Sequence, residues 1–160
     1  MRRLLLLALA ILIAGIVLVS CGDGGKVDKY IFKSGSVEIV PGEDSASVLN
    51  ALGKESSYDE VDIGCGNNEV GKVYSYSGFK IQTYPDNSKD YIDTVTITND
   101  SASTPEGISI GSSRDDVIKA YGDGYTEKSN GIVYIKDKTT LSFVIRDGAV
   151  TSIIYDYNFE

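Results

Sequence analysis

A short helical pattern that ends in glycine occurs twice in the chain, and this repetition limits the possible folds more than any other feature. Val48-Leu49-Asn50-Ala51-Leu52-Gly53 matches Val117-Ile118-Lys119-Ala120-Tyr121-Gly122. Glycine is the residue that most readily takes the left-handed conformation that ends a helix. Hydroxyl and acidic residues suited to cap a helix N-terminus precede each pattern: Asp44 or Ser45 in the first copy, Ser112 or Ser113 in the second. The repetition predicts two related structural units.

Each helical pattern is followed by three runs of alternating apolar and polar residues, which is typical of half-buried strands. The runs cover residues 72–76, 79–84 and 92–98 in the first copy, and 132–136, 140–146 and 150–157 in the second. Short polar turns separate them, including Asp147-Gly148, a strong hairpin signal. The predicted fold class is therefore α+β, with two tandem helix-plus-three-strand repeats that form an antiparallel sheet with helices on one face. We place repeat 1 at residues 35–100 and repeat 2 at residues 101–160.

The two copies differ in the distance between helix and strands. The helices are offset by 69 residues and the strands by 60, so the first copy carries nine extra residues within 54–70. This segment contains Asp59, Glu60, Asp62 and Cys65, and it is the least regular part of the domain. It is a candidate functional loop, although a solvated connection is the alternative. Cys65 is interpreted as a partly buried or loop thiol, with pairing to another chain or a redox role left open.

The N-terminal segment has the plan of an export signal. Arg2 and Arg3 precede an apolar run from Leu4 to Val19, which is short for a helix that spans a membrane. The run ends in Leu18-Val19-Ser20-Cys21, which resembles the lipobox of bacterial lipoproteins at all four positions. The resemblance implies cleavage between Ser20 and Cys21 and a diacylglycerol on the Cys21 sulfur. Residues 1–20 would then be the signal peptide and residues 21–34 a lipidated tether, whereas the alternative is an uncleaved N-terminal helix.

Both interpretations place the domain outside the cytoplasmic membrane, where membrane lipid is its first partner through the N-terminal segment. Without Arg2 and Arg3, the chain has 13 basic and 23 acidic residues, a net charge of −10. An acidic domain is not expected to bind nucleic acid, because the phosphate backbone is bound through lysine and arginine. The chain contains no histidine, which removes the commonest general base and zinc ligand.

The segment Thr104–Gly122 carries a further resemblance. It reads Thr-Pro-Glu-Gly-Ile-Ser-Ile-Gly-Ser-Ser-Arg-Asp-Asp-Val-Ile-Lys-Ala-Tyr-Gly, with a Gly-Ile start, a hydroxyl-acidic cap, a helix and a final glycine. This phrase is similar to the repeat phrase of an uncharacterised family of bacterial lipoproteins. The tandem units resemble the β-lactamase inhibitory protein fold and the small lipoprotein of outer-membrane β-barrel assembly. The resemblance covers about 120 residues and implies a fold rather than an activity.

The chain has eleven tyrosines, and the alternation of the strands suggests where several of them lie. Nine residues are expected to face the helices: Phe79, Ile81, Val95, Ile97, Leu141, Phe143, Ile145, Ile153 and Tyr155. The opposite face is then expected to collect a polar-aromatic set: Tyr74, Tyr76, Lys80, Gln82, Tyr84 and Tyr134. Tyrosine is enriched at protein interfaces, so this set is a candidate binding face. The alternative is that tyrosine, which has a high β-propensity, simply fills a half-exposed sheet.

No catalytic residue is predicted. Gly107-Ile-Ser109-Ile-Gly111 fits the pattern of a serine nucleophile, but the chain has no histidine base and Ser109 alternates with isoleucines as in a strand. A Ser112–Lys119 dyad is formally possible, but Ser112 is better explained as a helix cap. Residues 86–90 begin like a calcium loop, but they lack the glycine and glutamate such a loop requires, so a turn is favoured. No metal site and no cofactor are predicted, apart from the covalent lipid.

The sequence thus predicts a lipid-anchored extracytoplasmic domain that acts as a non-catalytic binding or scaffolding module. Its expected partner is a protein or an envelope polymer. Two alternatives are an inhibitor of a secreted enzyme, which the fold resemblance suggests, and a carboxylate-based hydrolase.

Overall fold

The computed structural model describes residues 28–64 and 69–159. Ten strands and two helices form this part of the chain, in the order β1 (Phe32–Ser34), β2 (Val37–Ile39), α1 (Ser45–Leu52), β3 (Ser57–Asp62), β4 (Val70–Ser75), β5 (Phe79–Asp86), β6 (Lys89–Ile97), α2 (Arg114–Tyr121), β7 (Thr126–Lys128), β8 (Gly131–Lys136), β9 (Thr139–Arg146) and β10 (Ala149–Tyr157). None of these helices is long and apolar enough to cross a membrane.

The strands form two antiparallel sheets, and this arrangement overturns the predicted fold class. β1 and β2 make a two-stranded sheet, and the other strands make one eight-stranded sheet in the order β3-β4-β5-β6-β10-β9-β8-β7. The described chain is therefore mostly β, with two helices of eight residues each. The prediction of helix-plus-three-strand repeats with helices on one face is wrong, because four strands follow each helix and an extra hairpin precedes the first.

The segment expected to be least regular contains one of the missed strands. β3 pairs with β4 from Ser57↔Ser75 to Asp62↔Val70 without a register shift. Its sequence, Ser-Tyr-Asp-Glu-Val-Asp, is rich in residues that strands usually disfavour. Pairing with a neighbouring strand, a tertiary effect, therefore outweighs the local preference. β7 is the other missed strand, and it has only three residues, all exposed.

Both helices begin and end as their sequences indicate. Asp44 caps α1 by accepting a hydrogen bond from the Ala46 N–H, and Ser113 caps α2 in a reciprocal capping box with Asp116. Gly53 and Gly122 end the helices with positive φ angles. A side-chain oxygen at the N-cap satisfies a backbone N–H that the helix itself leaves unpaired.

One apolar cluster joins the two sheets and both helices. The nine residues that the strand alternation assigned to the core are all buried or, in the case of Ile145, half-buried and packed against the cluster. Val48 of α1 and Val117 of α2 belong to it as well. We call the other side of the eight-stranded sheet the open face.

The two-stranded sheet is part of this core, although Phe32 lies within the residues predicted to be a tether. Phe32 is 1% exposed, and its ring lies 4.9 Å from that of Phe79 and 5.8 Å from that of Tyr155. Just before it, the Tyr30 N–H donates to the Thr139 hydroxyl at 2.8 Å. The hairpin of β1 and β2 is therefore part of the folded core.

Candidate functional site

The register divides the six residues of the predicted binding face between the two sides of the sheet. Tyr74 pairs with Ile81, and Tyr134 pairs with Leu141, both core residues. Residues directly opposite each other in antiparallel strands point to the same side. Tyr74 and Tyr134 therefore lie on the core side. Tyr76 is also on that side, where its ring stacks on Phe79 at 5.1 Å.

The three tyrosines on the core side have structural contacts. Tyr134 is 2% exposed, and its hydroxyl donates to the Gly122 carbonyl that ends α2, at 2.8 Å. The Tyr74 ring lies 5.3 Å from that of Tyr58 on the edge strand. Burial raises the pKa of Tyr74, of Tyr76 and of Tyr134. The prediction that these three tyrosines lie on the face opposite the core is therefore wrong, because the register places them on the core side of the sheet.

Lys80, Gln82 and Tyr84 do share the open face. Alternation along β5 places them opposite Thr96, Thr94 and Tyr91 of β6. Lys80 is exposed, and Gln82 and Tyr84 are half-buried. Their binding role stays a prediction, and the register now gives them new neighbours.

A pair of carboxylates near the centre of the open face was missed in the sequence. Between Gln82↔Thr94 and Thr83↔Ile92 the register shifts, so Asp93 is the extra residue of a β-bulge. Its carboxylate accepts from the Gln82 amide at 2.8 Å. Thr94 donates to the Asp156 carboxylate on the adjacent β10, at 3.1 Å. Asp93, Thr94 and Asp156 therefore meet where the two halves of the sheet join.

Both carboxyl groups of this pair have raised pKa values. Burial raises the pKa of Asp93 above its usual range, and hydrogen bonds from Gln82 and Thr94 oppose this shift. Burial also raises the pKa of Asp156, the Thr94 hydrogen bond opposes the shift, and the charge of Asp93 adds to it. Neither carboxylate forms an ion pair within residues 28–64 and 69–159. Their oxygens are available to accept hydrogen bonds from a ligand.

Aromatic rings lie at one end of the open face. Tyr84 stacks on Tyr91 at 5.6 Å, and Phe159 meets Tyr84 edge-on at 4.4 Å. Phe159 also contacts Tyr157 at 5.0 Å, and more than half of its own surface remains exposed. The chain after β10 thus places an exposed ring beside a polar patch.

A cavity of about 850 Å³ opens on the same side of β8 and β9. Its lining includes Val133, Ile135, Thr140, Asn158 and Phe159. Ile135 is 61% exposed, and Asn158 and Thr140 hydrogen-bond to each other at 2.9 Å. Its volume is in the range usual for ligand sites, and its lining also contains the charged residues Lys128, Asp137 and Lys138.

The residues weighed for serine chemistry have structural contacts instead. Ser112 accepts from the Ser109 N–H at 3.1 Å. Ser112 and Lys119 line a shallow depression with two carboxylates, Glu106 and Asp116. Glu106 accepts from the Tyr121 hydroxyl, and Asp116 accepts from Ser113 in the capping box.

Hydrogen bonding from Ser113 lowers the pKa of Asp116, so this carboxyl is poorly suited to act as a general acid near neutral pH. The turn at Asn87 and Ser88 joins β5 to β6 with positive φ angles at both residues, as the favoured interpretation of residues 86–90 requires. Within the described ranges, no three acidic or cysteine side chains gather as a metal site would need.

Three predicted positions, Ser20, Cys21 and Cys65, lie outside the described residues. No family model matches the chain, and no curated protein matches it. A solved structure, described as that of an extracellular protein containing a SCP domain from Bacillus anthracis str. Ames, is similar to 78% of this chain, with 16% identity and a TM-score of 0.43. The match spans 47% of that protein, about half its length. At this level of similarity, that protein's location and domain carry no argument about this chain.

Proposed function

We propose that this protein is an extracytoplasmic, lipid-anchored, non-catalytic binding module that contacts a protein or an envelope polymer through its open face. The lipid anchor would be a diacylglycerol on Cys21, and no other cofactor is proposed. The observation that carries the binding role is the polar patch of Gln82, Asp93, Thr94 and Asp156, which shares the open face with a group of aromatic rings whose member Phe159 also lines an open cavity.

The chemistry of the patch suits recognition. The carboxylates accept hydrogen bonds, the Gln82 amide both donates and accepts, and the exposed Phe159 ring contributes contact area at a low entropy cost. The open face lies on the side of the eight-stranded sheet away from the apolar cluster, where a partner can reach it.

Anchoring is supported by the sequence Leu18-Val19-Ser20-Cys21. Two acyl chains hold a protein stably on a bilayer, because each buried CH₂ contributes about 0.8 kcal/mol. We expect Cys21→Ser to leave an unprocessed precursor or to release the protein from membranes. Mass spectrometry and membrane fractionation measure both outcomes. Unchanged processing and unchanged mass would exclude acylation at Cys21.

Binding through the open face is tested by photocrosslinking in the native envelope. A photoreactive residue at position 80 or 82 should yield a discrete product, whereas the same residue at exposed Lys54, outside the sheet, should not. Tyr84→Ala and Asp156→Ala should weaken the product from position 82. Equal products from positions 54 and 82, or none from either open-face position, would contradict the proposal.

A further inference from the structure

The edge strand β3 leaves a complete row of backbone groups unpaired within the described chain. β3 ends the order of the eight-stranded sheet, and five of its six residues are exposed. The backbone hydrogen bonds outside the strand ladders include none from residues 57–62. Such an edge is a template for an added strand unless a protein blocks it with proline, a bulge or a covering element. β3 contains no proline, and its register with β4 has no shift.

The hydrogen-bond pattern identifies which peptide groups face outward. The Ile63 N–H donates to the Glu69 carbonyl at 3.0 Å, and these residues continue the β3–β4 register. Hydrogen-bonded pairs alternate along an antiparallel ladder. Asp59 and Val61 therefore bond to β4, whereas the N–H and C=O groups of Tyr58, Glu60 and Asp62 point away from the sheet.

The side chains of the same residues specify the partner's charge. Tyr58, Glu60 and Asp62 occupy alternate positions and so share one side of the strand. Asp59 adds a third carboxylate on the other side, and β3 contains no basic residue. Glu60 lies opposite Lys72, but the Lys72 ammonium is already paired with Asp90 at 2.6 Å.

We propose that β3 binds an extended segment of a partner protein as an added antiparallel strand, and that this segment carries lysine or arginine at alternate positions opposite Glu60 and Asp62. Backbone hydrogen bonds supply affinity in such additions, and alternate side chains supply specificity. The proposal concerns the sheet edge and is independent of the open face.

A second copy of the chain is a poor occupant of this edge. A symmetric antiparallel β3–β3 pair centred on Glu60 would place the two Glu60 side chains directly opposite each other and Tyr58 opposite Asp62. Like charges directly opposite in a sheet are destabilising. A basic segment from another protein replaces this repulsion with attraction.

The test uses the full-length protein in detergent and the synthetic peptide Thr-Lys-Val-Lys-Val-Lys-Thr-Trp. The protein has no tryptophan, so the fluorescence anisotropy of the peptide reports binding directly. Saturable binding is expected, and a peptide with glutamate in place of each lysine should bind at least tenfold more weakly. N-methylation of the alternate peptide nitrogens that face β3 should abolish binding. N-methylation of the nitrogens on the opposite edge of the peptide should be tolerated.

Two substitutions at one position separate charge from backbone. Glu60→Gln removes only the charge, and Glu60→Pro also removes the outward N–H while the bonds to β4 remain. We expect Glu60→Pro to bind about two- to tenfold more weakly than Glu60→Gln, the value of one hydrogen bond. Asp100→Asn, at an exposed turn after β6, is the matched control for net charge and should change affinity little.

Several results would overturn the proposal. One is the absence of saturable binding at 1 mM peptide, which corresponds to ~4 kcal/mol of affinity. Another is equal binding of the acidic and basic peptides. The third is equal affinity of the Glu60→Gln and Glu60→Pro proteins for the peptide when both proteins retain the wild-type circular dichroism. Self-association that Glu60→Pro abolishes in sedimentation would instead assign the edge to a second copy.

Discussion

Replacing Phe32 by alanine tests whether the N-terminal hairpin belongs to the folded core. The Phe32 ring is 1% exposed and contacts rings from β5 and β10. Burying a phenylalanine side chain contributes about 1.5–3 kcal/mol. A residual cavity of about 50 Å³, at about 24 cal/mol per Å³, adds about 1.2 kcal/mol. We therefore expect Phe32→Ala to lower the free energy of unfolding by about 3–4 kcal/mol.

The assay is thermal and urea unfolding of the full-length protein, followed by the near-ultraviolet circular dichroism of its tyrosines. For a domain of this size, a loss of 3–4 kcal/mol lowers Tm by roughly 10–20 °C. Ile135→Ala is the matched control, because Ile135 is 61% exposed and its truncation should change stability by less than about 0.5 kcal/mol. If Phe32→Ala lowers the free energy of unfolding by less than about 1 kcal/mol, the hairpin is a tether and does not belong to the folded core.

Three further predictions concern ionisation and backbone packing. The pKa of Asp156 is raised in the folded chain, so the free energy of unfolding falls as the pH rises from the unfolded-state pKa through the folded-state pKa. The Asp156→Asn protein should therefore be more stable than wild type at pH 7. An equal or lower Tm at pH 7 would contradict this expectation. Burial raises the pKa of Tyr30 to about 12, so stability is lost as the pH rises from about 10 to 12. In urea titrations at pH 12, Tyr30→Phe should recover about 1–2 kcal/mol of the free energy of unfolding. A Cβ at Gly131 would lie 1.9 Å from the Phe143 carbonyl oxygen, so Gly131→Ala should cost about 1–3 kcal/mol, whereas Gly124→Ala, with open space around it, should be nearly neutral in the same melts.

Local patterns in the sequence predict the position of most elements. Both helices and six of the strands lie where periodicity and caps place them, because these signals act within a few residues. The architecture was wrong because β3 and β7 have little strand signal of their own. Each is stabilised by its neighbour in the sheet, a contact that local periodicity does not contain.

The error in the predicted binding face has a simple geometric cause. With a two-residue turn at Ser77-Gly78, Tyr76 meets Phe79 and Tyr74 meets Ile81 across the hairpin. Because the turn contains two residues, Tyr74 of β4 and Tyr76 just after it lie on the same side of the sheet as Ile81 and Phe79, which is the core side. The same argument at the turn 137–138 places Tyr134 opposite Leu141. Counting residues across each two-residue turn, in addition to the alternation within each strand, predicts this division.

The carboxylate pair could not be predicted in this way. Asp93 reaches the open face because a β-bulge inserts one residue into β6. Asp156 comes near it only because β6 pairs with β10, whose residues are about 60 positions further along the chain. Neither the bulge nor that pairing has a local signal in the sequence.

The position of Phe32 also has a mechanical consequence. Tension applied from the N-terminal side is resisted first by the contacts that hold the hairpin on the eight-stranded sheet, among them the Tyr30–Thr139 hydrogen bond to β9 and the buried Phe32 ring. The ladder between β1 and β2 has only three residue pairs, so it opens at low force once that ring leaves the core. A domain suspended from a bilayer by this end would thus yield first at the hairpin, with the eight-stranded sheet and its open face still folded.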